Sequence, residues 1–276
     1  MNAVLSPSAA TDPLVALKHK QQAAWASGDY SVVGTTLQIV GETVCEAADV
    51  QSGEDVLDVA AGNGNATLAA ARRGAAVVST DYVNPLLEAG RARAAAEHLP
   101  VEFRTADAED LPFAPHRFDV VLSTFGVMFT ADHARAAGEL LRVTRPGGRI
   151  AMANWTPDGF IGQLFKTLGR HLPPAAGARS PALWGTEAYL KELFGGGAAE
   201  LRCTRREFNF RYRSPQEFVQ VFRQWYGPVH KAFGALGDKA GALEADMLAL
   251  MEQCRRADAK TLVVPGEYLE VVVVRS

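Results

Sequence analysis

The chain has 276 residues, of which 48% are hydrophobic and 21% charged, and its formal net charge is −3. That length suits one large α/β domain or a domain with a substantial insert, with the composition of an ordinary soluble globule. The small net charge gives no support to general affinity for nucleic acid or membrane surfaces, and the three scattered cysteines, Cys45, Cys203 and Cys254, form no CxxC pair and read as buried or idle thiols in a reducing compartment.

Residues 1–12 are small, polar and proline-broken, lack the basic start and apolar core of a secretory signal, and are expected to fray. No apolar run approaches the roughly 20 residues needed to span a bilayer. The expectation is a soluble, cytoplasmic protein with no membrane insertion. Residues 13–50 read as two helices, LVALKHKQQAAWA and GTTLQIVGETVCEAA, joined by Ser27-Gly28-Asp29-Tyr30. Between Val56 and Trp155 short apolar runs alternate with helical patterns. DVLDVA (55–60), AVVST (76–80), VEFRTA (101–106) and FDVVLSTF (118–125) are the strands, and Pro146-Gly147-Gly148 turns the chain into RIAMANW. Strands that are apolar throughout and separated by helix-length segments predict a parallel sheet covered on both faces, with the ligand at the C-terminal strand ends.

Beyond Trp155 the pattern changes. Residues 158–195 are helical with proline and glycine breaks, ELRCTRREFNFRY (200–212) is extended, two helical segments fill 214–259, and EYLEVVVVR closes the chain as a strand after Pro265-Gly266. The predicted architecture is therefore doubly wound, a mostly parallel seven-stranded Rossmann-like sheet forming one compact domain. Residues 1–50 form an N-terminal helical lid, 51–156 the cofactor-binding core and 157–276 the part that completes the sheet. Residues 214–259 are a helical substrate cap inserted between the last two strands.

VLDVAAGNGN (56–65) carries the first chemistry. A dinucleotide loop places Gly-x-Gly-x-x-Gly after its first strand so that backbone amides face a pyrophosphate. Here the third glycine position is Thr67 and the strand ends in Asp58. A carboxylate beside a pyrophosphate costs on the order of 1–4 kcal/mol at partial burial, whereas beside an ammonium group it helps. Gly62-Asn63-Gly64 lets the backbone approach such a ligand. The second strand also ends in an acid, Asp81, 19 residues after Gly62, where a carboxylate accepts both ribose hydroxyls. Tyr82 follows, suited to an adenine face, and after the third strand Asp107-Ala108-Glu109 offers an acceptor for the adenine amine. Three acidic strand ends along one sheet edge suit an adenosine that carries an amino acid.

The order VLDVAAGNGN, TDY, ADAEDLPF, FDVVLSTF, LLRVTRPGGRI resembles the class I S-adenosylmethionine-dependent methyltransferases, most of all the ubiquinone/menaquinone-biosynthesis-type and small-molecule group, over residues 25–155. Ala60 replaces the first glycine of the family loop. Ser123-Thr124-Phe125-Gly126 stands where base-methylating nucleic-acid enzymes carry (Asn/Asp)-Pro-Pro-(Tyr/Phe), which argues against a base substrate. The resemblance implies S-adenosylmethionine as cofactor. Asp58, Ala60, Gly62, Asn63 and Gly64 would hold its methionine end, Asp81 its ribose with Tyr82 and Leu86 beside the adenosine, and Asp107, Ala108 and Glu109 its adenine. Thr124 and Phe125 would lie near the sulfonium, with Trp25 and Tyr30 as lid contacts.

No catalytic base stands out and no metal site is expected. His133 reads as a plain surface histidine in the first turn of a helix, while His230 in the cap is the one candidate to face an acceptor. Trp155, Trp184, Trp225, Tyr226 and Met128 are either substrate-pocket walls or cap packing. The arginines at 202, 205, 206, 211 and 213 read as a solvated sheet edge rather than an RNA surface. Two other readings of the same fold are an NAD(P)-dependent oxidoreductase and a non-catalytic S-adenosylmethionine-binding protein. The expected partner is a small-molecule acceptor, its identity and the oligomeric state being illegible.

Overall fold

The computed structural model describes residues 13–175 and 177–276; the expected fraying of residues 1–12 lies outside the described residues. Three helices come first: α1 (Pro13–Trp25), α2 (Tyr30–Gly34) and α3 (Gln38–Ala47). The second predicted helix thus begins earlier than expected. The Asp29 side chain accepts the Ser31 amide and caps α2, which draws Tyr30 out of the linker and into a helix, and a 3-10 turn at Thr35–Leu37 leads into α3.

The core alternates β1 (Asp55–Val59), α4 (Asn65–Arg72), β2 (Ala76–Asp81), α5 (Asn84–Ala96), β3 (Val101–Thr105), β4 (Phe118–Thr124), α6 (His133–Val143) and β5 (Thr144–Trp155). It continues with α7 (Phe160–His171), α8 (Glu187–Phe194), β6 (Ala198–Tyr212), α9 (Pro215–Trp225), α10 (Gly227–Leu236), α11 (Ala240–Cys254) and β7 (Leu262–Arg275). The sheet order is β3-β2-β1-β4-β5-β7-β6. Strands β1 to β5 pair in parallel, and β7 runs antiparallel between β5 and β6. This is the seven-stranded, mostly parallel, doubly wound fold that the alternation of apolar runs and helices predicts, with α9–α11 inserted between β6 and β7.

Every residue of β4 but the last is buried, as are Val56 to Val59 of β1, because helices cover both sheet faces. Helix α4 is buried along all but its last residue and half of it is alanine; Gly41 of α3 packs on its first-turn backbone, where a Cβ would approach the Asn65 carbonyl carbon to 2.6 Å. Strand β7 starts before Pro265-Gly266 rather than after it. Proline is tolerated there because β5 pairs with β7 only from Tyr268 onward, so Pro265 lies on a locally unpaired flank and faces only β6. Gly266 is required by close approach: a Cβ there would meet the Phe210 ring at 2.8 Å and Trp155 at 3.2 Å.

Order reversal between β1 and β4 opens a crevice at the C-terminal strand ends. The α1–α2 segment closes one side of it and the α9–α10 junction the other. Two glycines let these meet: a Cβ on Gly28 would approach the Trp225 carbonyl oxygen to 2.8 Å, and one on Gly227 would overlap the Ala24 carbonyl oxygen.

Candidate active site

One cleft occupies this crevice, and all the predicted cofactor residues except Asp58 and Gly64 line it. The register explains why Asp81 reaches it and Asp58 does not. Asp58 pairs with Ser79 and Val59 with Thr80, so Asp81, the last residue of β2, stands level with Ala60 at the sheet end. Asp58 sits two residues lower, about 6–7 Å down the strand. Its fully buried carboxylate turns beneath the loop, where Oδ2 accepts the Thr67 amide (2.8 Å) and hydroxyl (2.6 Å). Asp58 is therefore not part of the cleft lining and braces the loop from below. Burial pushes its pKa up to about 7, against the lowering effect of the Thr67 hydrogen bonds, and its Oδ1 has no partner among the described residues. Gly64, at φ +84°, is the left-handed N-cap of α4 and not a wall of the cleft.

The Asp81 carboxylate organises the cleft floor. Oδ2 accepts the Gly62 amide at 2.9 Å and Oδ1 the Val83 amide at 2.8 Å, and burial raises its pKa to about 6 against the pull of these amides. Each oxygen retains a further lone pair. Leu86, Ala106 and Ala108 form an apolar shelf beside it, with Tyr82 on the rim. Ala60, at φ +52°, holds the left-handed conformation of the glycine it replaces, and Gly126 packs on it so closely that a Cβ would overlap the Ala60 carbonyl oxygen.

Asp107 and Glu109 are occupied by a residue the sequence reading missed. Lys18 of α1 places its ammonium 2.6 Å from each carboxylate, and Glu109 Oε1 also accepts the amides of Ala131 (2.7 Å) and Asp132 (3.0 Å). Gln22 of α1 donates to the Tyr82 carbonyl at 2.8 Å. Lys18, Gln21, Gln22 and Trp25 recur at helical spacing on one face of α1, which is the signal that identifies them.

Beyond Thr124 the cleft is aromatic. Phe125, at φ +58°, stacks on Trp155 with ring centroids 3.8 Å apart and 4° between planes. Trp25 meets Tyr30, Phe129 and Tyr226 edge-on. Ile161, Phe210 and Phe222, which no motif marked, complete this end. Trp184, Trp225 and Met128 do not line the cleft.

The histidine expectations need correction. No histidine lines the cleft among the described residues. His230 is exposed on α10, its Nδ1 3.0 Å from the Arg223 carbonyl. His133 is buried rather than superficial; Nδ1 lies 3.0 Å from the Tyr189 hydroxyl, and burial lowers its pKa to about 4, leaving it neutral.

The donor set fits an adenosine bearing an amino acid better than a dinucleotide. Loop amides that would grip a pyrophosphate are already committed: Ala61 to Thr80, Gly62 to Asp81, Gly64 to Ala61 and Thr67 to Asp58. A nucleoside-binding, doubly wound transferase fold is the class these features define. Residues 57–152 match the methyltransferase-domain family. The chain belongs to the class I S-adenosylmethionine-dependent methyltransferases, and S-adenosylmethionine is its cofactor. It is 41% identical over 232 residues to an uncharacterised protein of Mycobacterium tuberculosis, covering 83% of this chain and 84% of that one. A demethylmenaquinone methyltransferase of Clavibacter sepedonicus is 38% identical over 135 residues, covering 47% of this chain and 55% of that protein. Among solved structures, the YcgJ protein of Bacillus subtilis superposes with a TM-score of 0.60 at 15% identity, covering 87% of this chain and 98% of the other.

Proposed function

We propose that the cleft is the methyl-transfer site, with Asp81 holding the ribose and Ala60 to Asn63 facing the methionine end. In this reading Tyr82, Leu86, Ala106 and Ala108 enclose the adenine, with Asp107 and Glu109 reaching it past Lys18. Thr124 and Phe125 flank the transferring methyl, while Trp25 and Tyr30 close over it. When bound, the cofactor supplies a methyl group already activated on a sulfonium. The chain's own residues then orient an acceptor in line and exclude water, which the aromatic walls suit. A carbon, amine or already ionised nucleophile needs no base from the protein.

The acceptor we propose is a small organic molecule rather than nucleic acid. In support, Arg202, Arg205, Arg206 and Arg213 pair with Glu200, Glu267, Glu270 and Glu217, and Arg211 donates to the Asn209 carbonyl, so the edge strand's positive charge is largely neutralised within the chain. No described helix is long and apolar enough to cross a membrane, and we propose the cytoplasm as the place of action.

The single observation that carries the reading is Asp81, buried at the strand end with lone pairs left over after two amide bonds. Asp81→Ala is expected to weaken S-adenosylhomocysteine binding in calorimetry by roughly 2–3 kcal/mol. Unchanged affinity would show that the ribose binds elsewhere.

A further inference from the structure

The charged residues of the cleft are Lys18, Asp81, Asp107 and Glu109, and all four lie on α1 or at the ends of β2 and β3. None belongs to the end walled by Phe125, Trp155, Phe129, Phe210 and Phe222. One polar group projects among these rings from the cap. Tyr226, at the junction of α9 and α10, is caged by Trp25 (5.4 Å), Phe222 (4.9 Å) and Tyr30 (6.2 Å), measured between ring centroids. Its residue lines the cleft at 6% exposure, and its hydroxyl makes no hydrogen bond with the described residues. Burial and the neighbouring Tyr30 hold it far above the ordinary phenol range, so it is always a neutral donor and acceptor. Tyr30 is the less available of the two: its ring lies over Gly62, and Asp81 is its charged neighbour, on the cofactor side.

A phenol on the wall of an apolar chamber gains when a ligand oxygen bonds it, because a hydrogen bond is stronger in apolar surroundings than in water. A charged ligand gains nothing there, since no described residue lining that side carries a counter-charge and its desolvation is uncompensated. Flat ring walls, with Phe125 and Trp155 already stacked as a platform, favour a flat unsaturated ligand.

We propose that Tyr226 is the specificity-determining residue of the acceptor subsite, its hydroxyl bonding the oxygen of an uncharged, flat, aromatic acceptor. This rests on the methyl-transfer reading of the cleft and adds to it the class of molecule received.

The test uses the full chain saturated with S-adenosylhomocysteine, whose binding is measured first by calorimetry. Quenching of tryptophan fluorescence, with Trp25 and Trp155 in the walls, then reports the affinity of naphthalene, 2-naphthol and 2-naphthoate. The expected order is 2-naphthol tightest, by about five- to tenfold over naphthalene for one neutral hydrogen bond, with 2-naphthoate weakest. Tyr226→Phe should bring 2-naphthol down to the level of naphthalene while leaving naphthalene and S-adenosylhomocysteine affinities unchanged. Absence of probe binding, equal binding of 2-naphthol and naphthalene, a preference that survives Tyr226→Phe, or tightest binding of 2-naphthoate would overturn the proposal while leaving the cofactor site intact. Failure of S-adenosylhomocysteine to bind the native chain would overturn the methyl-transfer reading and this one with it. If Tyr226→Phe folds poorly, Phe222→Leu serves as the second variant: it should weaken 2-naphthol and naphthalene equally and preserve their ratio, and loss of the ratio would count against Tyr226.

Discussion

Helix α1 contains no buried residue, so side-chain tips rather than an apolar stripe hold it over the cofactor cleft. Lys18→Met removes the strongest of these tethers while keeping the aliphatic stem. The lysine ammonium is 2.6 Å from both Asp107 and Glu109; Asp107 is 32% exposed, but Glu109 only 4%. An exposed pair contributes about 0–1 kcal/mol, and a charge-assisted bond to a buried carboxylate about 1.5–3 kcal/mol before discounting. Screening at the lysine, 23% exposed, brings the local stabilisation of α1 to about 1–2 kcal/mol, a factor of about 5–30 in the opening equilibrium. Hydrogen exchange followed by mass spectrometry should show that acceleration in peptides spanning 13–25, with β1 and β4 unchanged. Salt at 0.5 M should move the native chain toward the variant, because the pair is only partly shielded from solvent. Unchanged exchange in α1, or acceleration spread evenly over the sheet, would refute the view of Lys18 as the tether.

Two further perturbations probe the supports of the site. Asp58 is a carboxylate whose folded pKa, about 7, lies above its unfolded value of 3.8. The folded state therefore binds the proton more tightly, and Asp58's contribution to stability falls as pH rises between about 4 and 7; Asp81, raised to about 6, acts in the same direction. Asp58→Asn should remove its share, so that variant and native chain differ little at pH 4 while the variant gains on the order of 2–4 kcal/mol relative to native by pH 8. A difference independent of pH in denaturant titrations would show that burial does not perturb this group. Gly227→Ala puts a methyl into the Ala24 carbonyl and should cost roughly 1–3 kcal/mol. It should also weaken S-adenosylhomocysteine binding by parting cap from lid, and undiminished stability would mean the two do not meet there.

Sheet and loop were legible because their determinants are local. Runs such as Val120–Leu122 are apolar at every position, as strands covered on both faces must be, and acids at the ends of β2 and β3 stand out against them. Register was not legible: the motif around Asp58 locates the loop, but only pairing with Ser79 shows that the carboxylate lies below the ligand plane. His133 was misread because a first-turn histidine beside Asp132 looks solvated, and its burial depends on Tyr189, 56 residues onward. Lys18 escaped notice for a related reason: its helical spacing with Gln21, Gln22 and Trp25 marks a face of α1 but not the ion pairs it makes, since Asp107 lies 89 residues onward. The aromatic chamber draws Trp25, Phe125, Trp155, Phe210 and Tyr226 from five separate elements or their junctions, so no spacing in the chain foretells it.

The central claim is that the cleft takes an adenosine joined to an amino acid and not a dinucleotide. Parallel calorimetric titrations of the purified chain with S-adenosylmethionine, S-adenosylhomocysteine, NAD and NADP test it most directly. Saturable binding of the first two is expected, lost or strongly weakened in Asp81→Ala, with no binding of NAD or NADP. Tight binding of NAD alone would contradict it.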